Sequence, residues 1–265
     1  MKCPLVSVIV NCHNGQKYLA ECIRSILNQT YTNFEIIFWD NFSTDNSYKI
    51  VNKFKDKRIR KFKIKKFSSL YKSRNLAISK SKGKYITFCD TDDLWIKNKL
   101  AEQLKLIKKN KNIKLIFSNY FVLNEIKKTK YKKFEKRLPE RFITQDLLNN
   151  YTIGILTIML DKKILKNNSF NPAFNIIGDF DLFIKLSIKF KFHYIQKPLA
   201  VYRIHKHNLS LGRHDIYIAE LEKWISTSSK YRSLKNHSFL QIKYLLYKLR
   251  IKYFFQKYFN LNLGV

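Results

Sequence analysis

Residues 84–95 read KYITFCDTDDLW, and the rest of the fold can be worked out from this stretch. It begins as a short run rich in apolar residues and ends with three carboxylates within four positions, Asp90, Asp92 and Asp93. Desolvation and mutual repulsion make such a cluster costly unless it is solvated, paired or holding a cation. The stretch therefore predicts a buried strand whose carboxyl end opens onto a polar site.

On both sides of this stretch, short apolar runs alternate with amphipathic segments. The other runs are LVSVIV (5–10), FEIIFW (34–39), RIRKFKI (58–64) and IKLIFS (113–118). Strands of this kind, separated by helices, predict an α/β fold with a Rossmann-like, mostly parallel sheet flanked by helices. Since such sheets bind ligands at the carboxyl ends of their strands, we expect the polar residues that follow each strand to meet at one edge.

The second half of the chain has a different pattern. YTIGILTIML (151–160) predicts a buried strand, FHYIQKPLAVYRIH (192–205) one or two strands, and the basic run IKKTKYKKFEKR (126–137) an exposed loop or hairpin. We expect one domain over residues 1–210 and a basic, aromatic-rich helical extension over residues 211–265. The final segment, 239–259, has five Lys or Arg and no acid, so it suits either an anionic membrane surface or packing against the domain.

The chain is strongly basic, with 52 Lys and Arg against 19 Asp and Glu in 265 residues and a formal net charge of +33. This charge suits nucleic acid, anionic lipid or an acidic small molecule, and it does not choose among them. The sequence carries no recognisable nucleic-acid-binding motif, so we expect no nucleic-acid partner.

The four cysteines show neither a C-x-x-C pair nor metal-ligand spacing, which favours a reducing compartment. No apolar segment reaches the roughly 18 to 20 residues that a membrane span requires. We therefore expect a cytoplasmic protein, either free or peripheral at the cytoplasmic face of the inner membrane.

Five motifs, in the same order, resemble those of the family 2 inverting glycosyltransferases, which have the GT-A fold of the nucleotide-diphospho-sugar transferases. They are SILNQTY (25–31), WDNFSTDNS (39–47), SRNLAISKSKGKYITFCDTDDLW (73–95), GDFDLFIKL (178–186) and YRIHKHNLS (202–210). The resemblance covers roughly residues 5–210. It implies transfer of a sugar from a nucleotide-diphosphate donor to a hydroxyl of a cell-surface glycan or lipid-linked acceptor, as in lipopolysaccharide, O-antigen or capsule synthesis.

The resemblance also implies which residues bind the nucleotide sugar. They are Cys12, His13, Asn14, Asp40, Arg74, Asp90, Thr91 and Asp92. A carboxylate at position 40 can accept a hydrogen bond from the N3–H of uracil or thymine, which favours a UDP- or dTDP-sugar. Asn11-Cys12-His13 stands where the family commonly has Pro-Thr-Tyr, and we expect His13 to stack on the base in place of the Tyr.

The implied cofactor is Mn²⁺ or Mg²⁺, with Asp92 and His205 as its protein ligands. A divalent cation on the phosphate oxygens stabilises the charge that develops on the departing diphosphate. Asp93 is expected either to support this metal shell or to cap a helix that begins near Leu94.

Asp179 matches the Asp of the family's Glu-Asp pair, which implies that it is the general base for the acceptor hydroxyl. Gly178 replaces the Glu of that pair. Asp181 is a competing base, unless it compensates charge at the helix N-terminus. Two other functions remain open: a non-catalytic binder of anionic polymers or nucleic acid, and a nucleotidyltransferase of similar fold.

Overall fold

The first half of the chain alternates strands and helices, as the sequence predicts. A computed structural model describes residues 3–136, 141–209, 211, 213–228 and 231–259. The strands are β1 (Val6–Cys12), β2 (Phe34–Asp40), β3 (Ile59–Lys63), β4 (Tyr85–Phe88) and β5 (Leu94–Trp95), and the helices are α1 (Leu19–Leu27), α2 (Ser47–Lys53), α3 (Leu70–Lys80) and α4 (Lys99–Lys109). Every residue of β1 and β2 is buried, because both faces of the sheet are covered.

The second half supplies β6 (Leu115–Asn124), β7 (Thr129–Lys132), α5 (Thr144–Asn149), β8 (Met159–Asp161), α6 (Gly178–Lys189), β9 (Phe192–Ile204), α7 (His214–Ser228) and α8 (Leu240–Phe259). The predicted strand over 151–160 is wrong in its first part, where a 3₁₀ turn forms at Ile155–Thr157 and only the last residues join the sheet. The basic run forms part of a hairpin, because β7 pairs antiparallel with β6.

The sheet has the strand order β3-β2-β1-β4-β8-β6-β9-β5, with β7 attached to β6. The first four strands are parallel to one another, and β8 runs antiparallel between β4 and β6. The predicted α/β class is therefore confirmed, and the antiparallel pairs involve only strands from β4 onward.

Strand register places the polar strand ends side by side. Cys12 of β1 pairs with Asp40 of β2, and Ile9 of β1 pairs with Phe88 of β4. The turn after β1, the end of β2 and the acidic turn after β4 consequently share one edge of the sheet, as the sequence predicts.

The C-terminal helices pack on the main core. Leu221 and Trp224 of α7 and Ile242 of α8 are buried in the same hydrophobic cluster as Ile9 and Phe88 of the sheet. The inner face of α8 therefore packs against the domain, which is one of the two expectations for this segment. The domain boundary at residue 210 stays a prediction. Within the described ranges, no helix combines the length and the apolar character needed to cross a membrane.

Candidate active site

Two neighbouring cavities lie where these strands end. The strand-end cavity, of about 740 Å³, is lined by the turn after β1, and the helix-side cavity, of about 630 Å³, is lined by Asp179 and by parts of α5 to α8. Asp90 and Asp92 line both cavities. The acidic turn therefore lies between the strand-end cavity and the helix-side cavity, which contains the predicted base.

The turn after β1 forms one wall of the strand-end cavity, to which Cys12, His13 and Asn14 all contribute. The His13 ring lies 4.8 Å from the ring of Phe67, and its Nδ1 is 3.0 Å from the carbonyl oxygen of Asn41. Asn14 has a left-handed backbone (φ 53°), and its Oδ1 accepts a hydrogen bond from the Thr44 N–H. Asn14 thus joins two turns, while His13 and Phe67 place aromatic rings beside the cavity.

Thr91 also lines the strand-end cavity, and it packs closely on the turn after β1. A Cβ added at Gly15 would lie 2.8 Å from the Thr91 Oγ1, so a larger residue at position 15 would require one of the two segments to shift. The predicted site residue Thr91 therefore helps to hold the acidic turn against the first strand.

Asp40 and Asn11 carry buried polar atoms that have no hydrogen-bond partner in the described part of the chain. The Oδ1 of Asp40 accepts a hydrogen bond from the Ser43 N–H, but its Oδ2 has no partner among the described residues. Asp40 is fully buried and lines neither cavity. Asn11, which is 8% exposed, lines the strand-end cavity, and both atoms of its side-chain amide lack described partners.

Asn11 was not predicted as a site residue. The sequence feature that could have identified it is an amide in the next-to-last position of a strand that is otherwise largely apolar. A buried polar atom without a partner costs roughly 1–3 kcal/mol, so a ligand that supplies the missing hydrogen bonds would recover free energy.

Arg74 fixes the first carboxylate of the acidic turn. Its Nη2 lies 2.6 and 2.8 Å from the two carboxylate oxygens of Asp90, and the Arg74 side chain is only 3% exposed. Burial by itself would lower the pKa of Arg74, but the charge of Asp90 holds that pKa above its ordinary value. Asp90 is thereby held in place at the border of both cavities.

The two predicted metal ligands are in contact. The Nε2 of His205 lies 3.0 Å from the Oδ2 of Asp92, and the Nδ2 of Asn208 donates to the same oxygen at 3.1 Å. Burial and the charge of Asp90 raise the pKa of Asp92. Among the described residues, no group of three or more His, Cys, Asp or Glu forms a ready metal cage. One carboxylate and one imidazole fit a cation whose other ligands would come from phosphate and water.

The predicted capping role of Asp93 is wrong. The residues after it, Leu94 and Trp95, form a strand that pairs with β9, and α4 does not begin until Lys99. Asp93 is 1% exposed, and its Oδ1 accepts a hydrogen bond from the backbone N–H of Arg203. Burial and the neighbouring Asp92 raise its pKa well above the ordinary value.

Arg203 fixes the backbone of the acidic turn. Its Nε donates to the carbonyl oxygen of Asp92 at 2.9 Å, and its two terminal nitrogens bind Glu21 and Glu125 at 2.7 and 2.6 Å. The arginine thus connects β9, α1 and the residue that follows β6 to the turn. The Y-R-x-H motif signals this residue, but its partners come from three distant segments and could not be predicted.

Asp179 lies at the start of α6 and lines the helix-side cavity. Its Oδ1 accepts hydrogen bonds from the Tyr71 hydroxyl at 3.1 Å and from the Phe180 N–H at 2.9 Å, and the Tyr151 hydroxyl lies 3.5 Å from its Oδ2. Burial raises the pKa of Asp179, and the charge of Arg74 opposes that rise. The result is a carboxylate with increased proton affinity, as a general base requires.

The missing Glu at position 178 has a steric explanation. A Cβ placed on Gly178 would lie 2.4 Å from the nearest ring carbon of Tyr71, closer than any side chain can approach. Tyr71 occupies this space and donates its hydroxyl proton toward Asp179 and the Ile176 carbonyl. In this chain the Tyr71 side chain therefore lies beside the predicted base, and it occupies the space that the second carboxylate of the family's pair would need.

Asp181, the alternative base, is engaged elsewhere. It is 2% exposed, and it accepts hydrogen bonds from the Trp224 indole at 3.0 Å and from Lys185 at 2.7 Å. It lines neither cavity. Its contacts give it a role in attaching α6 to α7. Of the two candidate bases, Asp179 is therefore the one that lines the helix-side cavity.

Glu220 of α7 holds the loop that precedes Asp179. Its carboxylate accepts hydrogen bonds from the backbone N–H groups of Asn175, Ile176 and Ile177 at 2.5, 2.9 and 3.1 Å. These N–H groups belong to the three residues that lead into α6, which begins at Gly178. A residue from the predicted extension thus holds the segment that leads into the helix carrying the predicted base.

Comparisons with known proteins identify the family. The family model "Glycosyl transferase family 2" matches residues 7–186. The Escherichia coli UDP-Glc:alpha-D-GlcNAc-diphosphoundecaprenol beta-1,3-glucosyltransferase WfgD is 35% identical over 185 residues, which cover 69% of this chain and 69% of that protein.

Two solved structures share the fold at low identity. S. aureus TarS 1-349 in complex with UDP-GlcNAc has a TM-score of 0.69 at 18% identity, covering 98% of this chain and 76% of that one. Mannosyltransferase PcManGT from Pyrobaculum calidifontis, in complex with GDP-Man and Mn²⁺, has a TM-score of 0.63 at 15% identity, covering 92% and 70%. These likenesses confirm the GT-A fold. The chain therefore belongs to glycosyl transferase family 2, and it is a glycosyltransferase.

Proposed function

We propose that this protein transfers a sugar, with inversion, from a UDP- or dTDP-sugar to a hydroxyl of a lipid-linked cell-surface glycan. The observation that carries the proposal is the position of Asp179, a carboxylate with a raised pKa in the wall of a cavity that Asp90 and Asp92 also line. WfgD, by its name, transfers glucose from UDP-Glc to a diphosphoundecaprenol-linked acceptor, and TarS was solved with UDP-GlcNAc, which supports a uridine donor and a lipid-linked acceptor.

The nucleotide occupies the strand-end cavity in this proposal. His13 and Phe67 offer rings to the base, and the side-chain amide of Asn11, whose two polar atoms lack partners among the described residues, offers hydrogen bonds. An amide can both donate and accept, which suits the N3–H and carbonyl groups of uracil or thymine. Asp90, held by Arg74, contacts the ribose or base at the cavity border.

The donor's phosphates lie beside Asp92 and His205, which would together hold a divalent cation. Carboxylate oxygens suit both Mg²⁺ and Mn²⁺, but an imidazole ligand favours Mn²⁺, because Mg²⁺ demands oxygen ligands. A bound cation would stabilise the negative charge of the diphosphate. PcManGT was solved with Mn²⁺, in agreement with this assignment.

Asp179 removes the acceptor proton in the helix-side cavity. The acceptor oxygen bonds to the anomeric carbon while its proton passes to the Asp179 carboxylate. The bond between that carbon and the diphosphate oxygen breaks, and the diphosphate leaves with the electron pair. Attack on the face opposite the diphosphate inverts the anomeric configuration.

The outer face of α8 is suited to an anionic membrane surface. Six apolar or aromatic residues recur on it every three or four positions and are exposed: Leu240, Tyr244, Tyr247, Ile251, Phe254 and Tyr258. We call this set the α8 stripe. Lys243, Lys248 and Lys257 are exposed beside it, so the helix combines apolar contact with positive charge. Such binding would keep the enzyme at the cytoplasmic membrane face, next to a lipid-linked acceptor.

Substitution of the predicted base tests the proposed reaction. Purified protein would be screened against a panel of nucleotide sugars for donor hydrolysis and transfer, with and without Mn²⁺ or Mg²⁺. We expect Asp179→Asn to abolish transfer while UDP binding persists, and Asp92→Ala to lose the stimulation by metal. Unchanged transfer in both variants would contradict the mechanism. Salt-sensitive DNA binding without donor hydrolysis would favour an anionic-polymer binder instead.

A further inference from the structure

The helix-side cavity extends beyond Asp179. It holds about 630 Å³, and its lining continues from Asp90 and Asp179 to residues of α7 and α8. Tyr217 of α7 lines the same cavity, and burial together with the charge of Asp179 raises the pKa of its hydroxyl. One continuous space therefore connects the predicted base with the C-terminal helices.

Helices α5, α7 and α8 contribute an apolar part to the lining of this cavity. Leu148 of α5, Leu221 of α7 and Ile242 of α8 line it and are at least nine-tenths buried, and the partly buried Leu245 of α8 joins them. A wall of branched aliphatic side chains binds a hydrocarbon better than it binds a sugar, whose hydroxyl groups would lose hydrogen bonds to water.

A cation stands at the edge of this apolar part. Lys248 lines the cavity from α8, is exposed, and lies with its Nζ 4.6 Å from the centre of the Tyr244 ring. Among the described residues, Lys248 forms no ion pair with a carboxylate, and α8 itself contains no Asp or Glu. Its charge is therefore available to an anionic ligand.

We propose that this region, defined by Leu148, Leu221, Ile242, Leu245 and Lys248, binds the lipid-proximal part of the acceptor. The isoprenoid units contact the four aliphatic side chains, and the diphosphate that joins lipid to sugar pairs with Lys248. The sugar then extends toward Asp179. The proposal rests on the proposed function, since it assumes a lipid-linked acceptor, and it adds where that lipid lies.

The position of α8 agrees with this arrangement. Tyr244 belongs both to the lining of the helix-side cavity and to the exposed α8 stripe. A lipid leaving the cavity at this point would pass directly from the protein to the surface that α8 offers to the membrane. The acceptor would thus not have to leave the bilayer completely.

Calorimetric titration of the full chain with geranylgeranyl diphosphate tests the proposal. We expect Lys248→Glu to weaken binding by about tenfold, because a charge-assisted hydrogen bond is lost and a repulsion is introduced. Leu245→Asn should weaken binding of the lipid diphosphate without changing the affinity for inorganic pyrophosphate. Lys243→Glu is the matched control, since Lys243 is exposed on the same helix but does not line the cavity.

Three results would overturn the proposal: no binding of geranylgeranyl diphosphate by the wild-type protein, equal losses for Lys248→Glu and Lys243→Glu, or equally tight binding of inorganic pyrophosphate. UDP binding is measured on every variant, and we expect it to be unchanged, which shows that the variants are folded. A protein that binds the lipid diphosphate but transfers no sugar would contradict the proposed function alone.

Discussion

Tyr71 adjusts the proton affinity of Asp179 through one hydrogen bond. Its hydroxyl donates to the Asp179 Oδ1 at 3.1 Å and lowers a pKa that burial raises. We expect Tyr71→Phe to raise the pKa of Asp179 further. Because the base must be ionised, activity is lost as the pH falls through this pKa. The acid limb of the kcat/KM profile should therefore move to higher pH.

The pH profile of Tyr71→Phe is compared with that of Tyr31→Phe, a partly buried tyrosine whose hydroxyl bonds the Pro4 carbonyl and lines neither cavity. We expect the control to keep the wild-type acid limb. An acid limb that stays in place, or moves to lower pH, in Tyr71→Phe would show that this hydroxyl does not stabilise the ionised base.

Asn11 allows donor binding to be separated from folding. Asn11→Ala removes an amide whose two polar atoms are buried without described partners, so the free protein should melt at the same or a higher temperature. The loss of hydrogen bonds to the base should weaken UDP binding by about tenfold. Thermal unfolding and calorimetry of the same sample would show both effects. Unchanged UDP affinity would remove Asn11 from the nucleotide site.

At the scale of elements, α7 stabilises the start of α6 through Glu220. Glu220→Gln keeps the shape of the side chain but removes the charge that strengthens its bonds to three backbone N–H groups. We expect the free energy of unfolding to fall by about 1.5–3 kcal/mol and kcat to fall with it, because the loop before Asp179 loosens. Urea unfolding and steady-state kinetics measure the two effects.

Glu222→Gln is the control for that variant, since Glu222 lies on the same helix and pairs with Arg250 at the exposed surface. Exposed ion pairs contribute roughly 0–1 kcal/mol, so we expect a small change in stability and none in kcat. Similar losses in both variants would mean that Glu220 acts only through the charge of α7.

The sequence predicts well those elements whose pattern of apolar and polar residues lies within one short segment. Strands β1, β2 and β4 are short, fully buried and mostly apolar runs that end in or are soon followed by polar residues, and the acidic turn follows β4. The 3₁₀ turn at Ile155–Thr157 could not be predicted in the same way, because a buried apolar run has no periodicity that distinguishes a strand from a turn. The role of Asp93 was missed because its partner, Arg203, lies on a distant strand.

At the scale of the whole molecule, the net charge of +33 would attract any anionic surface. A test of membrane binding by α8 must therefore change the apolar α8 stripe and leave the net charge unaltered. Deleting residues 236–265 would not be a clean test, because Ile242 belongs to the main core. We expect Tyr247→Ser with Phe254→Ser to reduce sedimentation with vesicles that contain anionic lipid. These two side chains are 60% and 52% exposed, so their loss should leave the core intact.

Tyr131→Ser is the matched variant, since Tyr131 is 47% exposed on the basic β7 strand, away from α8. It should leave sedimentation unchanged at each salt concentration. If the stripe variant and Tyr131→Ser sediment equally with anionic vesicles, the attraction is due to net charge and α8 has no particular part in it.

The contact between Tyr71 and Gly178 makes the order of mutations at these two positions important. A Glu introduced at position 178 would collide with the Tyr71 ring, so it would destabilise the fold before it could act beside Asp179. A smaller residue at position 71 opens the space first, although it also removes a hydrogen bond to the base. Descendants of this sequence could therefore acquire an acidic pair only by a path that changes position 71 before position 178.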